Sequence, residues 1–277
     1  MHTTRYGLAG TWLLAVFCWF AVADEASPSK KERSTRESSF GASDMLQRFV
    51  DELILVTPGR SPFPKSLRVG GRSLAPGIAF RVAAYETTQE LYQLVEGENP
   101  SRWRGPRNSV ESMTHADAER FCAKLTLLLR DAQLIEATSV VRLPTDVEWE
   151  YSCRAGSIET YSFGSGKSAE LLEQYAWYAG NAAGNDPAVG ELMPNDYGLY
   201  DVHGYLWEFV NEQKSSGDAL PDVGAANMAM GGSWKDKAPR LACDSRVSVP
   251  ADGRSDAIGF RCVVSEQESD SRKTPDQ

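Results

Sequence analysis

The chain has 277 residues, 42% of them hydrophobic and 24% charged, with a formal net charge of −9 at pH 7. That length holds one large domain or two small ones, and the apolar share permits a real core. The acidic balance repels phosphate backbones and excludes DNA or RNA as a partner.

The first 23 residues read as a targeting segment. Arg5 supplies a positive start, Leu13 to Phe20 an apolar run, and Ala21-Val22-Ala23 a small-x-small cleavage pattern. The run is too short to span a bilayer comfortably, which takes about 20 residues. We therefore expect cleavage before Asp24, export to the periplasm or outside, and no membrane span afterwards. The alternative is an uncleaved anchor. Loss of Arg5 takes the net charge from −9 to −10.

Residues 24–44 are rich in Ser, Lys, Arg and Glu and read as a disordered linker. Residues 45–265 read as the folded domain, and 266–277 as a disordered tail. Within the domain, Leu53–Val56 and Ile78–Val82 have strand character. A helix is expected over Thr88–Val95, with Thr87 or Thr88 as its cap. Thr114 predicts the start of a second helix to about Arg130, and Pro144-Thr145 the start of a third over Asp146–Ala155. After residue 156 the chain is rich in Gly, Asn, Asp and Pro, which predicts coil with short strands. Seven Trp and ten Tyr, with weak apolar periodicity, suit a loop-rich α+β fold.

Four cysteines follow the targeting segment: Cys122, Cys153, Cys243 and Cys262. In an exported chain an even number argues for two disulfides, with three connectivities open. None is spaced Cys-x-x-Cys, which disfavours zinc.

Four ordered segments carry a family resemblance. They are Tyr85-Glu86-Thr87-Thr88 with Asn99-Pro100-Ser101-Arg102-Trp103; Arg142-Leu143-Pro144-Thr145 through Trp149-Glu150-Tyr151; Asn195 through Gly204 into Trp207-Glu208-Phe209; and Gly231-Gly232-Ser233-Trp234 closed by Gly259-Phe260-Arg261. In this order they resemble the formylglycine-generating-enzyme (sulfatase-modifying-factor) family. The resemblance implies a variant of the C-type-lectin fold with little regular secondary structure. It also implies two nested disulfides, Cys122–Cys262 and Cys153–Cys243.

The family enzyme oxidises a substrate cysteine with oxygen, using copper(I) on two cysteines shortly after the Gly-Gly-Ser-aromatic motif. Soft thiolates suit that ion. Here the matching stretch, Lys235 to Ala242, has no cysteine, and the family's active-site Asn near the end is Ala257. Copper is therefore not expected, and no catalytic residue is assigned. A three-histidine iron site, as in the family's sulfoxide synthases, is excluded because only His115 and His203 remain after the targeting segment. What the resemblance retains is a ligand groove at Trp207, Ser233, Trp234 and Arg246. It also retains a structural calcium site at Asp201, Gly204, Leu206 and Glu208, where two carboxylates bracket a Gly turn as a hard cation requires.

Two functions follow. One is a non-catalytic module that binds a protein, peptide or small ligand in a lectin-like groove. The alternative is a divergent oxidoreductase of the same family acting on an exported protein or peptide. Enzyme activity other than formylglycine formation is left open by the sequence.

Overall fold

The computed structural model describes residues 30–165, 169–183, 186–212 and 226–266. The targeting segment expected over 1–23 lies outside these residues, as does the tail beyond Glu266. The chain divides into two compact units, Met1–Ser39 and Phe40–Gln277. In the first unit the described part is helical, because helix α1 runs Lys30–Asp51. Of the segment expected as a linker over 24–44, residues 24–29 lie outside the described residues and the part from Lys30 is helical, where Lys, Glu and Arg are good helix formers.

In the second unit α1 ends by burying Leu46 and Phe49, three residues apart on one face. Strand β1 (Leu53–Val56) follows, then a hairpin of β2 (Leu67–Val69) and β3 (Arg72–Leu74). Strand β4 covers Phe80–Ala83, two residues later than expected at its start, because Gly77 turns the chain at φ 84°.

Helix α2 (Gln89–Glu96) is capped by Thr88 and stopped by Gly97 in the left-handed region. Helix α3 (His115–Asp131) begins with a capping box of Thr114 and Asp117. Strand β5 (Ser139–Arg142) leads to helix α4 (Asp146–Arg154), which has a second capping box of Thr145 and Glu148. A single helical turn, α5, covers Ala169–Leu172.

The remaining strands are β6 (Trp207–Val210), β7 (Asn227–Met230), β8 (Arg246–Val249), β9 (Ile258–Gly259) and β10 (Val263–Glu266). One antiparallel sheet has the order β1-β4-β10-β5. A second has the order β8-β7-β6-β9, with β9 parallel to β6. One apolar cluster joins Phe121, Leu125 and Leu129 of α3 to Phe209 and Phe260; another joins Trp149 and Tyr151 of α4 to Val56, Phe80 and Leu199. Strand β6 is buried along its whole length, and so carries Glu208 into the interior. Among the described residues no helix is long and apolar enough to cross a membrane.

Candidate functional site

The calcium set expected from the sequence sits in a charged core. Asp201, Glu208 and Glu86 are all buried, with Arg261 beside them. Glu208 takes a bidentate fork from Arg261, at 2.6 Å to Oε2 and 2.7 Å to Oε1. Its Oε2 also accepts the Trp149 indole N–H at 2.8 Å. Arg261 further donates to the carbonyls of Ala83, Ala84 and Tyr200. Glu86 accepts from Leu206 N at 3.2 Å and from the Ser109 hydroxyl. Three buried carboxylates thus face one guanidinium.

The imbalance shows in their acidities. Burial raises the Glu86 carboxyl well above the carboxylate range, with Glu208 and Asp201 adding to the rise. Burial also pushes Asp201 up to about 6. Asp201 Oδ2 accepts from Gly190 N at 2.8 Å, but its Oδ1 is buried with no hydrogen-bond partner among the described residues. An orphaned carboxylate oxygen in an over-acidic core fits a bound cation. Glu208 Oε1 has one lone pair beyond its Arg261 contact. Asp201 and Glu208 therefore fit the expected ion, and Glu86 is a third carboxylate that the motif reading missed.

The four cysteines are buried thiols. The fold brings the Cys122 and Cys262 sulfurs to 3.8 Å, adjacent but farther apart than a bond of about 2.05 Å. Cys153 and Cys243 stand with His203 in a buried group whose ligand atoms lie within 4.8 Å of one another. His203 Nδ1–H donates to Leu241 O at 2.9 Å, and its Nε2 accepts the Ser162 N–H at 3.2 Å. Burial lowers its pKa to about 4, so the ring is neutral at pH 7. Both ring nitrogens therefore have hydrogen-bond partners.

The expected groove residues separate. Trp207 Nε1 donates to Asp236 Oδ2 at 2.8 Å, and the Ser233 hydroxyl donates to the same oxygen at 2.6 Å. Arg240 stacks over the Trp207 ring at 4.9 Å. Ser233 is thus held by a carboxylate in a turn, with no imidazole against it. Arg246 is not beside them. It reaches α4, bonding Asp146 Oδ2 and Glu150 Oε2 at 3.1 Å each.

Trp234 does line a pocket, one of about 140 Å³. Its other walls include Trp103, Trp177, Tyr205, Leu206, Glu111, Asp186 and Asp256. Gly204 shapes it: at φ 113° a Cβ there would sit 2.3 Å from the Trp177 carbonyl oxygen. That carbonyl accepts Tyr205 N at 2.8 Å, fixing the Trp177 loop on the Gly204 turn. Tyr205 itself has φ 64°, a strained region for a residue with a side chain. Its hydroxyl donates to Pro187 O at 2.7 Å, which helps hold the ring in that conformation. The pocket lining contains neither a thiol nor an imidazole.

This mixed α/β arrangement of small sheets and capped helices also occurs in Treponema denticola variable protein 1. The match has a TM-score of 0.62, covers 78% of this chain and 95% of that one, and has 24% sequence identity, so it is one of fold. Residues 42–266 match the sulfatase-modifying factor enzyme 1-like domain, and the chain belongs to that family. It is 28% identical over 194 residues to the formylglycine-generating enzyme of Mus musculus, covering 61% of this chain and 50% of the relative. It is 32% identical over 146 residues to the inactive C-alpha-formylglycine-generating enzyme 2 of Bos taurus, covering 48% and 47%. The chain thus spans about half the length of these curated relatives.

Proposed function

We propose that this is an exported binding module on a lectin-type scaffold, holding its ligand in the pocket of Trp103, Trp177 and Trp234 and lacking formylglycine-forming activity. One observation carries the reading. The pocket beside the Gly-Gly-Ser-Trp turn is walled by aromatic rings and carboxylates, with no sulfur or imidazole for soft-metal chemistry. The cysteine-free stretch Lys235 to Ala242 begins at its rim, where Lys235 pairs with Asp256. A relative of the same family named as inactive is consistent with this.

A thermal-shift screen of small molecules against wild type and Trp234→Ala tests the reading. Compounds that raise the wild-type midpoint are expected to lose that effect in the variant. Hits that persist in the variant would show that they bind elsewhere, and a screen without hits would count against the pocket.

In this reading the signal segment is removed after Ala23. In the oxidising compartment Cys122 bridges Cys262, and Cys153 bridges Cys243. The 3.8 Å sulfur separation of the first pair supports this, because a small side-chain rotation closes it. Intact mass should show two hydrogens lost per bridge. Substituting Cys122 and Cys262 together by Ala is expected to cost about 2–5 kcal/mol in chemical unfolding. An unchanged unfolding midpoint in that variant would remove the staple from the account. Calcium, held by Asp201 and Glu208 with the carbonyls of Gly204 and Leu206, completes the proposal and supplies positive charge to the over-acidic core.

A further inference from the structure

The chemical character of the pocket points to its ligand. Its aromatic walls present indole and phenol faces, which attract cations through the negative face of the ring. Two of those indoles already carry one: Arg102 lies 4.7 Å over Trp103 and Lys235 lies 4.7 Å over Trp234. Both cations also pair with Asp256, so that carboxylate is neutralised.

Glu111 is different. It is buried and accepts only neutral donors: the N–H groups of Arg102 and Trp103 and the hydroxyl of Ser112. Asp186 accepts only from the Asn108 amide, at 2.6 Å. Neither carboxylate has a Lys or Arg partner among the described residues. Glu111 is therefore a buried carboxylate in an aromatic wall without a counter-charge, while Asp186 is exposed at the rim. Trp177 adds a third indole to the same wall.

We infer that the pocket takes an organic ammonium group, with the ammonium between the indole faces and the carboxylate of Glu111, and with Asp186 at the rim. This rests on the binding reading above and specifies its ligand class. The size agrees: about 140 Å³ is close to the roughly 150 Å³ cavity that accommodates benzene in another protein, enough for a trimethylammonium head. The source is either a free small molecule or the head group of a lipid.

The test titrates the purified protein with choline and with its uncharged isostere 3,3-dimethyl-1-butanol, read by calorimetry and tryptophan fluorescence. Choline is expected to bind at least about tenfold more tightly than the isostere. Glu111→Gln, with its thermal midpoint checked, is expected to lower choline affinity by about the same factor. Phosphatidylcholine vesicles give the lipid arm, where sedimentation of the protein that free choline competes away assigns the head group. Equal binding of the uncharged isostere would overturn the cation while leaving the pocket reading intact. No saturable binding of choline, free or on vesicles, would overturn the inference, and the compound screen then decides the pocket reading separately.

Discussion

Replacing Arg261 by Met is expected to destabilise the fold by about 3–5 kcal/mol, a fall of roughly 6–20 °C in thermal midpoint for a domain of this size. Arg261 is only 1% exposed, and its hydrogen bonds go to Glu208 and to backbone carbonyls inside the domain. It forks Glu208 and ties the carbonyls of Ala83, Ala84 and Tyr200, so it joins the β4 end to the loop before β6. Met fills similar space but removes the one guanidinium facing three carboxylates. The penalty is mainly the charge left unpaired, not lost packing. Adding Glu208→Gln to Arg261→Met should therefore recover about 1–2 kcal/mol, because the stranded charge disappears. Urea unfolding of the single and double variants measures this. A double variant no more stable than the single one would mean that Arg261 acts through packing alone.

The second large effect concerns Asp201. Its carboxyl is pushed up from 3.8 to about 6 by burial, so the folded chain binds a proton there over a range where the unfolded chain has lost it. Stability from this group is present below pH 4 and lost as pH rises through 6. Without calcium the loss approaches about 3 kcal/mol by neutral pH. His203 works in the opposite direction. Its pKa is lowered to about 4, so protonation of the unfolded chain costs stability as pH falls from 6.5. The wild type minus Asp201→Asn difference removes that second contribution. Measured in chelator, the difference should turn against wild type by about 3 kcal/mol between pH 4 and pH 7. Calcium at pH 7.5 should restore wild type by mass action and leave Asp201→Asn nearly unchanged. At pH 5 calcium should do little, because Asp201 then holds a proton. A pH-independent difference, with no calcium response, would remove Asp201 from the ion's ligands.

The two predictions share one cause: the core carries more carboxylate than guanidinium. The sequence makes part of this legible. Asp201 and Glu208 are visible in the third motif, seven residues apart around Gly204. Glu86 is not, because a Glu between a strand and a helix cap reads as a surface acid. The capped helices are legible for a local reason. Thr114 with Asp117, and Thr145 with Glu148, place cap and partner three residues apart, a spacing that acts within one turn.

The pocket lacks such a local signal. Its lining comes from three connections: Trp103 and Glu111 between α2 and α3, Trp177 and Asp186 between α5 and β6, and Trp234 after β7. An excess of Trp in Gly- and Asn-rich stretches is the one trace in the sequence. Arg246 shows the opposite failure. Motif position puts it in the groove, but the structure gives it to Asp146 and Glu150 on α4, because β8 is the edge strand farthest from β9 in its sheet. The cysteines lie between these cases. Spacing leaves three pairings open, the family resemblance points to one of them, and the fold brings Cys122 beside Cys262 as that one requires.

The most direct measurement of the central claim uses the purified protein with copper(I), oxygen and a cysteine-containing peptide substrate of the family. Oxygen uptake and conversion of the peptide thiol to an aldehyde are followed together by electrode and mass spectrometry. A chain with no thiol pair beside its ligand pocket should show neither. Copper-dependent aldehyde formation coupled to oxygen uptake, lost on substitution of Cys243, would contradict the account.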